Sequence, residues 1–307
     1  MAEVETTRPR GGSGGAPLLS IVIPAKNEAD NLATLLPRIK KLYPDAELIV
    51  VDDGSIDGTG DIARNNGAVC IRHHFSLGNG AAVKSGARAA KGKTLVFLDG
   101  DGQHNPDDIE KLFSRKKEGF DMVIGARDNK SQASISRLFA NKVYNKFASI
   151  MTGRRILDLT SGFRIVDARK FKQFLYLLPN GFSYPTTITM AFFRSGFQVD
   201  YVPITALPRQ GNSKISIFKD GVKFLIIIVK IGALFSPMRL FLPISLLLFF
   251  AGISYYGFTY YTSGRFTNMS AVMFLSSLTI FLIGIVSEQV SSLHYRFTQE
   301  DGSNDSR

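Results

Sequence analysis

The chain has 307 residues, of which 45% are apolar and 21% are charged, so it can bury a folded core and global disorder is excluded. Its formal net charge of +11 favours anionic partners, such as phosphorylated substrates, anionic lipid or nucleic acid. Cys70 is the only cysteine, which excludes an internal disulfide, and a divalent cation is expected to bind to oxygen ligands rather than in a zinc site.

Residues 1–17 are predicted to be a disordered tail, because they are rich in glycine, proline and arginine and lack the apolar run of a signal peptide. Residues 18–215 are predicted to form an α/β domain, because short apolar runs alternate with amphipathic stretches. Strands are predicted at Leu19–Ile23, Leu48–Val51, Val69–Ile71, Leu95–Leu98 and Met122–Ile124. Helices are predicted at Ala29–Leu42, Gly58–Asn66, Ala81–Ala90 and Asp107–Lys117. This alternation predicts a mostly parallel sheet with ligands bound beyond the carboxyl ends of its strands.

The first predicted strand leads into the segment Pro24-Ala25-Lys26-Asn27-Glu28. Pro24 fixes the backbone as the chain leaves the sheet, and Lys26, Asn27 and Glu28 are then expected to face a cleft at this edge. Asn27 has an alternative role as the cap of the following helix, and the sequence leaves both roles open.

The second predicted strand ends in two acidic residues, Asp52 and Asp53. Carboxylates at this edge of the sheet can accept hydrogen bonds from a nucleobase or a ribose. The alternative is a turn followed by a helix cap, and Asp57 or Thr59 is expected to cap the next helix.

The fourth predicted strand runs into Asp99-Gly100-Asp101-Gly102-Gln103-His104. In an extended chain, Asp99 and Asp101 point to the same side, and the intervening glycine permits a close approach of backbone. Two carboxylates at a sheet edge can hold Mg²⁺ or Mn²⁺ together with a diphosphate. The amide oxygen of Gln103 can reach the same ion, whereas His104 is expected to be a neighbour rather than a ligand.

The C-terminal third of the chain is apolar and basic. Residues 216–239 are predicted to form an amphipathic juxtamembrane segment with its lysines toward lipid headgroups, the alternative being a helix packed on the domain. Residues 240–261 and 267–287 are each uncharged and apolar over roughly the 20 residues that a membrane span requires. A buried core hairpin is the alternative. Basic residues flank the pair of spans, and the connecting loop carries Arg265, so the large domain and a tail at 288–307 are predicted to be cytoplasmic.

In this order and spacing, several segments resemble the family 2 glycosyltransferases of the GT-A fold. More narrowly, the chain is similar to dolichyl-phosphate mannose synthases and bacterial polyprenyl-phosphate glycosyltransferases, over about Leu18 to Ser287. The matching segments are Ile21–Glu28, Val50–Thr59, Gly78–Gly92, Phe97–His104, Gly125–Arg127, Asp158–Arg164 and Arg209–Lys214.

The resemblance implies a role for each of these segments. Residues at the ends of the first, second and fourth strands bind the donor, namely Pro24, Ala25, Asn27, Glu28, Asp52, Asp53, Asp99 and Gly100. Asp99, Asp101 and Gln103 hold the metal, and Asp101, Arg127 and Arg137 are the catalytic set. The acceptor phosphate is bound by Arg127, Arg137, Arg164 and Ser213. Arg209, Ser213 and Lys214 lie on a loop over the diphosphate.

Two positions depart from the family pattern. The family usually has acidic residues near position 182, whereas this chain has Phe182-Ser183-Tyr184-Pro185-Thr186-Thr187. Ser76 replaces a frequent asparagine. A phosphate acceptor tolerates the first change, because its second pKa of about 6 leaves it ionised without a general base.

The sequence therefore predicts inverting transfer of a sugar, from a donor of the GDP-mannose or UDP-glucose type, to a polyprenyl phosphate such as dolichyl or undecaprenyl phosphate. The predicted enzyme is an integral membrane protein with a cytoplasmic catalytic domain, in the inner or plasma membrane if prokaryotic. Its predicted partners are the nucleotide sugar, the lipid and the bilayer but no nucleic acid, and homo-oligomers are left open. The alternative is a membrane-tethered transferase with a protein or soluble glycan acceptor. A processive polysaccharide synthase is disfavoured because the chain has no tryptophan.

Overall fold

The computed structural model describes residues 18–127, 135–181, 183–205, 229–230, 232–234 and 236–304, without the side chains of 135–140 and 294–304. The described chain divides into two compact units. The first contains the described parts of Met1–Asn145 and Ile156–Ile217, and the second those of Lys146–Arg155 and Phe218–Arg307. Residues 146–155 thus group with the C-terminal unit, although the sequence predicted one domain over 18–215.

A seven-stranded sheet forms the centre of the first unit, with the strand order β3-β2-β1-β4-β6-β5-β7. Every neighbouring pair is parallel except for the two pairs that β6 makes, with β4 and with β5. The strands are β1 (Leu19–Ala25), β2 (Glu47–Asp52), β3 (Val69–Arg72), β4 (Thr94–Phe97), β5 (Met122–Arg127), β6 (Arg164–Asp167) and β7 (Val199–Ile204). The predicted mostly parallel α/β sheet is confirmed.

The reversed strand β6 decides which loops meet. Thr94 of β4 pairs with Asp167, and Phe97 pairs with Arg164, so β6 begins where β4 ends. The loop that precedes β6 therefore lies at the same edge of the sheet as the carboxyl ends of β1, β2, β4 and β5. The sequence did not predict this strand, because its four residues are bounded by an arginine and an aspartate.

Helices of the first unit cover the sheet. They are α1 (Ala29–Leu42), α2 (Thr59–Asn65), α3 (Asn79–Ala89), α4 (Asp108–Lys117), α6 (Ala168–Lys172) and α7 (Tyr184–Arg194), whereas α5 (Ile135–Thr152) begins in this unit and belongs to the second unit from Lys146 onward. Helix α1 shows the usual cause of this packing: Leu32, Leu35, Leu36 and Ile39 recur at helical spacing and are buried. The core against which they pack comes largely from β1, β2 and β4, with residues such as Ile21, Val50 and Val96.

Two long apolar helices dominate the second unit, α8 (Pro237–Ser263) and α9 (Asn268–Asn304). The segments Pro237–Ser263 and Asn268–Leu293 have mean hydropathies of 1.8 and 2.3 and are long and apolar enough to cross a membrane. Side chains of Ser245 and Ser277 exchange hydrogen bonds with each other's backbone carbonyls at 3.0 and 2.9 Å. A Cβ at Gly252 or Gly284 would lie within 3.2 Å of the facing helix, so glycine allows the two helices to approach closely.

The helix ends differ from the expected ones in the C-terminal region. Helix α9 continues to Asn304, although the sequence predicted a span ending at 287 and a tail at 288–307. Of the predicted amphipathic segment 216–239, the residues up to 228 lie outside the described part of the chain. Residues 229–230 and 232–234 are helical, and 237–239 belong to α8.

Candidate active site

A cleft of about 470 Å³ opens at the edge of the sheet where β1 and β4 end. Its walls come from the ends of these two strands, from Asp53 after β2, and from the start of α3. The lining residues are Pro24, Ala25, Lys26, Glu28, Asp53, Ser76, Gly78, Asn79, Ala82, Asp99, Gly100 and Asp101. The structure thus brings together eight of the residues that the sequence placed at a cleft or site: Pro24, Ala25, Lys26, Glu28, Asp53, Asp99, Gly100 and Asp101.

Asp99 and Asp101 stand together at this edge because Gly100 lies against β1. Its N–H faces the carbonyl of Pro24 at 3.4 Å, and a Cβ at this position would lie 3.2 Å from the same oxygen. Asp101 accepts a hydrogen bond from the backbone N–H of Gln103 at 3.2 Å. The amide of Gln103 is not part of the cleft lining, so its role as a metal ligand stays a prediction.

The carboxylate of Asp99 is ionised although burial removes much of its hydration. Burial would raise the pKa of its carboxyl, but the nearby ring of His104 and the positive charges of Arg127 and Arg164 hold this pKa below its usual value. The His104 Nε2 lies 3.4 Å from Asp99 Oδ2, and the ring stacks on Phe163 with centroids 5.1 Å apart. His104 therefore contacts Asp99, and its expected absence from the metal ligands stays a prediction.

The backbone of Gly162 packs against the carboxylate of Asp99. A Cβ on Gly162 would lie 2.6 Å from Asp99 Oδ2, a distance that no methyl group can occupy. The carbonyl of Gly162 accepts a hydrogen bond from the Tyr184 hydroxyl at 3.1 Å. The loop before β6 thus positions the metal-binding candidate from the side opposite β1.

Asp53 lines the cleft, but both of its carboxylate oxygens already accept hydrogen bonds from other residues of the chain. Oδ1 binds His73 Nδ1 at 2.7 Å and the Leu77 N–H at 2.8 Å, and Oδ2 binds Ser76 Oγ at 2.7 Å and the Gly78 N–H at 2.9 Å. Burial would raise the pKa of Asp53, but these hydrogen bonds lower it. Asp53 therefore holds the loop 73–78 that forms one wall of the cleft, a role that the sequence did not reveal.

Asp52 and Asn27 lie outside the cleft lining, which differs from their predicted donor-binding role. Asp52 is buried and accepts the Ser55 N–H at 2.9 Å, so it closes the turn after β2. Asn27 accepts the Ile56 N–H at 3.0 Å and adopts a positive φ of 55°. Both side chains are used to build the loops. For Asp52 this is the turn that the sequence left open, whereas Asn27 binds the loop after β2 and does not cap the following helix.

Helix capping in this region falls mainly to Asp57 rather than to Asn27. Its Oδ2 accepts the Ala29 N–H at the start of α1, and its Oδ1 accepts the Thr59 N–H at the start of α2, both at 3.0 Å. One carboxylate therefore satisfies orphan donors of two helices. Of the two residues expected to cap the second helix, Asp57 and Thr59, Asp57 is the one that accepts a backbone N–H at its start.

Arg127, at the end of β5, is held by Asp158 from the loop before β6. Its Nε donates to Asp158 Oδ2 at 2.8 Å and its Nη2 donates to Oδ1 at 3.0 Å, and Nη2 also reaches Thr160 Oγ1 at 2.6 Å. Burial would raise the pKa of Asp158, but the bond to Arg127 keeps it below its usual value. Nε and Nη2 of Arg127 are thus both bound to Asp158, so this edge of the guanidinium is already occupied, and the role of Arg127 at the acceptor phosphate stays a prediction.

Arg164 does not fit its predicted role at the acceptor phosphate. Its side chain is fully buried, and it donates to the carbonyls of Ser161 and Pro185 and to Thr189 Oγ1. Burial lowers the pKa of this guanidinium. An arginine enclosed by the domain core cannot touch a lipid phosphate. Its contribution is the positive charge that it places behind Asp99.

Residues 183, 186 and 187, near which the resemblance led us to expect carboxylates, are a serine and two threonines. Ser183 caps α7 by accepting the Thr186 N–H at 3.4 Å, and Thr187 donates to the Ser183 carbonyl at 3.1 Å. Thr186 meets the Tyr144 hydroxyl at 3.0 Å, and burial raises the pKa of Tyr144 to about 12. All three side chains at 183, 186 and 187 are buried and hydrogen-bonded. This segment therefore supplies no general base.

Four predicted site residues lie outside the described part of the chain, so their roles stay predictions. They are Arg209, Ser213 and Lys214, together with the side chain of Arg137, whose backbone belongs to α5.

The residues of the cleft fit a hard divalent cation bound jointly with a substrate. Asp99 and Asp101 supply carboxylate oxygens, which Mg²⁺ and Mn²⁺ accept as ligands. Among the described residues, no group of three or more histidine, cysteine or acidic side chains could hold a metal ion by itself. Such a pair suits an ion that completes its shell with substrate phosphate and water, as Mg²⁺ commonly does.

Comparisons with known proteins agree with this geometry. Residues 20–175 match the family described as Glycosyl transferase family 2, and residues 236–293 match the family described as GtrB C-terminal hairpin. Polyprenol monophosphomannose synthase of Mycolicibacterium smegmatis is 30% identical over 64% of this chain and 80% of its own length. Undecaprenyl-phosphate mannosyltransferase of Micrococcus luteus is 30% identical over 64% of this chain and 86% of its own length.

The fold is also similar to that of solved structures. Glucosyl-3-phosphoglycerate synthase from Mycobacterium tuberculosis, in complex with Mn²⁺, uridine diphosphate and phosphoglyceric acid, superposes with a TM-score of 0.58. The two chains share 18% sequence identity, and the match covers 74% of this chain and 85% of that one. At this identity the likeness shows the fold.

Proposed function

The chain belongs to glycosyl transferase family 2, and from this premise we propose that it transfers a sugar from a nucleotide diphosphate donor to a polyprenyl phosphate at a membrane surface. The observation that carries the proposal is the pairing of Asp99 and Asp101 in one cleft, near an arginine that a buried carboxylate holds in place. Relatives named for transfer to polyprenol and undecaprenyl phosphate support the acceptor class.

The donor lies along the cleft with its diphosphate near Asp99, Gly100 and Asp101. Asp99 and Asp101 would hold a Mg²⁺ or Mn²⁺ ion, which would supply positive charge against the negative charge that develops on the departing diphosphate. The nucleoside lies toward the ends of β1 and β2, where Pro24, Ala25 and Glu28 line the cleft and Asp53 holds its wall. Donors of the GDP-mannose and UDP-glucose type both fit this description.

The acceptor needs to be positioned rather than deprotonated. A phosphate monoester is already mostly dianionic at pH 7, because its second pKa is about 6. Since Asp158 occupies Nε and Nη2 of Arg127, the remaining edge of the guanidinium faces the acceptor, and Arg137 and Ser213 complete the phosphate site. The absence of a carboxylate from Ser183 to Thr187 is compatible with this acceptor and unfavourable for a sugar hydroxyl, which needs a base.

The chemistry is a single displacement. A phosphate oxygen of the acceptor attacks the anomeric carbon from the face opposite the leaving group. The new bond joins sugar and lipid phosphate, the bond to the nucleoside diphosphate breaks, and the anomeric configuration inverts. Helices α8 and α9 span the bilayer and keep the catalytic domain at the cytoplasmic face, beside the water-insoluble acceptor.

Purified full-length protein, incubated with polyprenyl phosphate and a panel of labelled nucleotide sugars, tests the proposal. We expect one donor to label the lipid, and Asp101→Asn to lower this rate about 100-fold or more. Asp45→Asn, which removes one negative charge at an exposed turn, is the matched control and should keep full activity. Label that appears on a protein or a soluble glycan instead of the lipid would refute the acceptor class. Full activity of the Asp101 variant would refute the site.

A further inference from the structure

The end of helix α5 is attached to the start of the apolar hairpin within the second unit. Ser236 Oγ donates to the Met151 carbonyl at 2.9 Å, and Arg239 Nη1 donates to the carbonyls of Ile150 and Met151 at 3.0 and 2.7 Å. Arg239 thus satisfies the last carbonyls of α5, where a cation is also favoured by the helix dipole. The segment 146–155 therefore lies at the point where α8 begins.

Other contacts place further segments at the same end of the hairpin. The Met238 N–H, in the first turn of α8, faces the Glu288 carboxylate at 3.3 Å. Ser291 Oγ of α9 donates to the Leu234 carbonyl at 2.7 Å. The start of α8, the stretch of α9 around 288–291 and the residues 232–234 thus meet here, while the turn at 264–267 forms the opposite end.

Exposed basic residues gather at this end. Lys146, Arg154, Arg155 and Lys230 are exposed, and within the described part of the chain none of them has a carboxylate within the 4.0 Å of an ion pair. Ile150, which is 54% exposed, lies one turn after Lys146 on α5. Val229, beside Lys230, is 44% exposed. We name this set of six residues the basal surface.

The basal surface combines positive charge with apolar side chains at the border of a membrane-spanning segment. Lysine and arginine beside aliphatic side chains suit the boundary between lipid headgroups and acyl chains. The opposite end of the hairpin carries one basic residue in its turn, Arg265. The charge is therefore concentrated at one end, where it can attract an anionic leaflet.

We propose that the basal surface binds the headgroups of anionic phospholipids in the bilayer that the hairpin spans. The inference rests on the membrane insertion in the proposed function, and it adds a lipid partner that is distinct from the acceptor. Exposed Ile150 and Val229 favour a lipid over a free phosphate ion, because an aliphatic side chain gains nothing from an inorganic anion but is buried by acyl chains. The surface then fixes the end of α5 at the headgroup level.

Each basic side chain near an anionic membrane surface strengthens association about fivefold at physiological salt. Because the basal surface holds four such side chains, a preference for an anionic over a zwitterionic lipid of at least about fivefold is expected. Such a preference falls as ionic strength rises, since the screening length shrinks from about 10 Å at 0.1 M salt to about 3 Å at 1 M.

The test uses the full chain in phosphatidylcholine vesicles with trace spin-labelled phosphatidylglycerol or spin-labelled phosphatidylcholine. The motionally restricted fraction of each label gives the relative association constant. Lys146→Gln/Arg154→Gln/Arg155→Gln is compared with a control triple that removes the same charge from exposed lysines elsewhere, Lys41→Gln/Lys91→Gln/Lys93→Gln.

We expect the unmodified protein and the control triple to prefer phosphatidylglycerol, and the basal triple, which keeps only Lys230 of the four basic residues, to lose most of this preference. The preference of the unmodified protein should also disappear in 1 M salt. No preference in the unmodified protein, or an equal loss in both triples, overturns the inference. If the basal triple does not insert into the vesicles, the single variant Arg155→Gln is compared with the unmodified protein instead. A reduced preference for phosphatidylglycerol in this variant, together with its disappearance in 1 M salt, then supports the inference, and an unchanged preference overturns it. No nucleotide sugar is present, so failure here leaves the proposed transfer to be judged by its own assay.

Discussion

The contact between Asp158 and Arg127 allows a specific test of the site by Asp158→Asn. The substitution keeps the size of the side chain and removes its charge. Asp158 is 7% exposed and Arg127 is 26% exposed, so the arginine would be left half-buried without its counter-ion. The new amide N–H₂ would also face donors, because Oδ2 now receives both the Nε and the backbone N–H of Arg127.

The size of the effect follows from these contacts. Removing one partner of a buried ion pair costs about 3–5 kcal/mol, and the partial exposure of Arg127 places this pair near the lower value. A loss of about 3 kcal/mol lowers the melting temperature of a domain of this size by about 6–12 °C. Because the freed guanidinium no longer holds its position, we expect kcat/KM for the acceptor to fall about 100-fold, with the donor KM unchanged.

Thermal unfolding and steady-state kinetics with varied polyprenyl phosphate measure these effects. Asp121→Asn is the matched control, because Asp121 also pairs with a cation, Lys170, and accepts the Gln198 N–H at 2.8 Å. It precedes β5 at the opposite edge of the sheet from the cleft. The control should lower stability and leave the acceptor kinetics unchanged.

Two results would contradict this account of Asp158. A melting temperature within 2 °C of the unmodified protein would mean that the ion pair contributes little. An acceptor kcat/KM that falls equally in the Asp158 and Asp121 variants would mean that general destabilisation, and not the position of Arg127, limits the reaction.

Three further perturbations have definite expected outcomes. Gly162→Ala would place a methyl group 2.6 Å from Asp99 Oδ2, so calorimetry should show at least about tenfold weaker binding of Mn²⁺ with nucleoside diphosphate, in a protein with unchanged circular dichroism. The pKa of Asp53 is lower in the folded protein than in the unfolded chain, where it is about 3.9. The ionised carboxylate therefore stabilises the fold fully above the unfolded pKa, and this stabilisation is lost as the pH falls through the folded pKa. Melting curves should therefore show Asp53→Asn to be less stable than the unmodified protein at pH 7, with a smaller further loss below pH 4. Ser245→Ala removes a bond between the hairpin helices and should cost about 0.6 kcal/mol in a detergent unfolding titration, whereas a loss above 2 kcal/mol would contradict this assignment.

Local patterns in the sequence were sufficient for much of the fold. Each of the first five strands contains a short, largely apolar run. Helix α1 was predicted with its observed bounds, because a helix that is buried on one side has apolar residues at helical spacing. The placement of Asp99 and Asp101 at a sheet edge also followed from the sequence, since both come directly after a buried strand. The two apolar helices were visible from length and composition.

The partners of the charged groups could not be predicted in the same way. Two adjacent aspartates after β2 looked equivalent, yet Asp52 closes a turn and Asp53 holds four groups of a loop some 20 residues later in the chain. Arg164 looked like a phosphate ligand until the structure placed it in the core. Each of these outcomes depends on which segments the fold brings beside the side chain.

The amino-acid sequence by itself determined the order of the strands and helices along the chain, the acidic pair at the end of β4 and the apolar hairpin, because these depend on hydrophobic periodicity over a few neighbouring residues. Tertiary structure decided that β6 runs against its neighbours and carries Asp158, Gly162 and Arg164 to the edge where Asp99 lies. A strand of four residues with charged ends shows no recognisable hydrophobic pattern in the sequence. Its direction is fixed only by its pairing with β4 and β5. The environment of the active carboxylate is therefore a property of the assembled sheet.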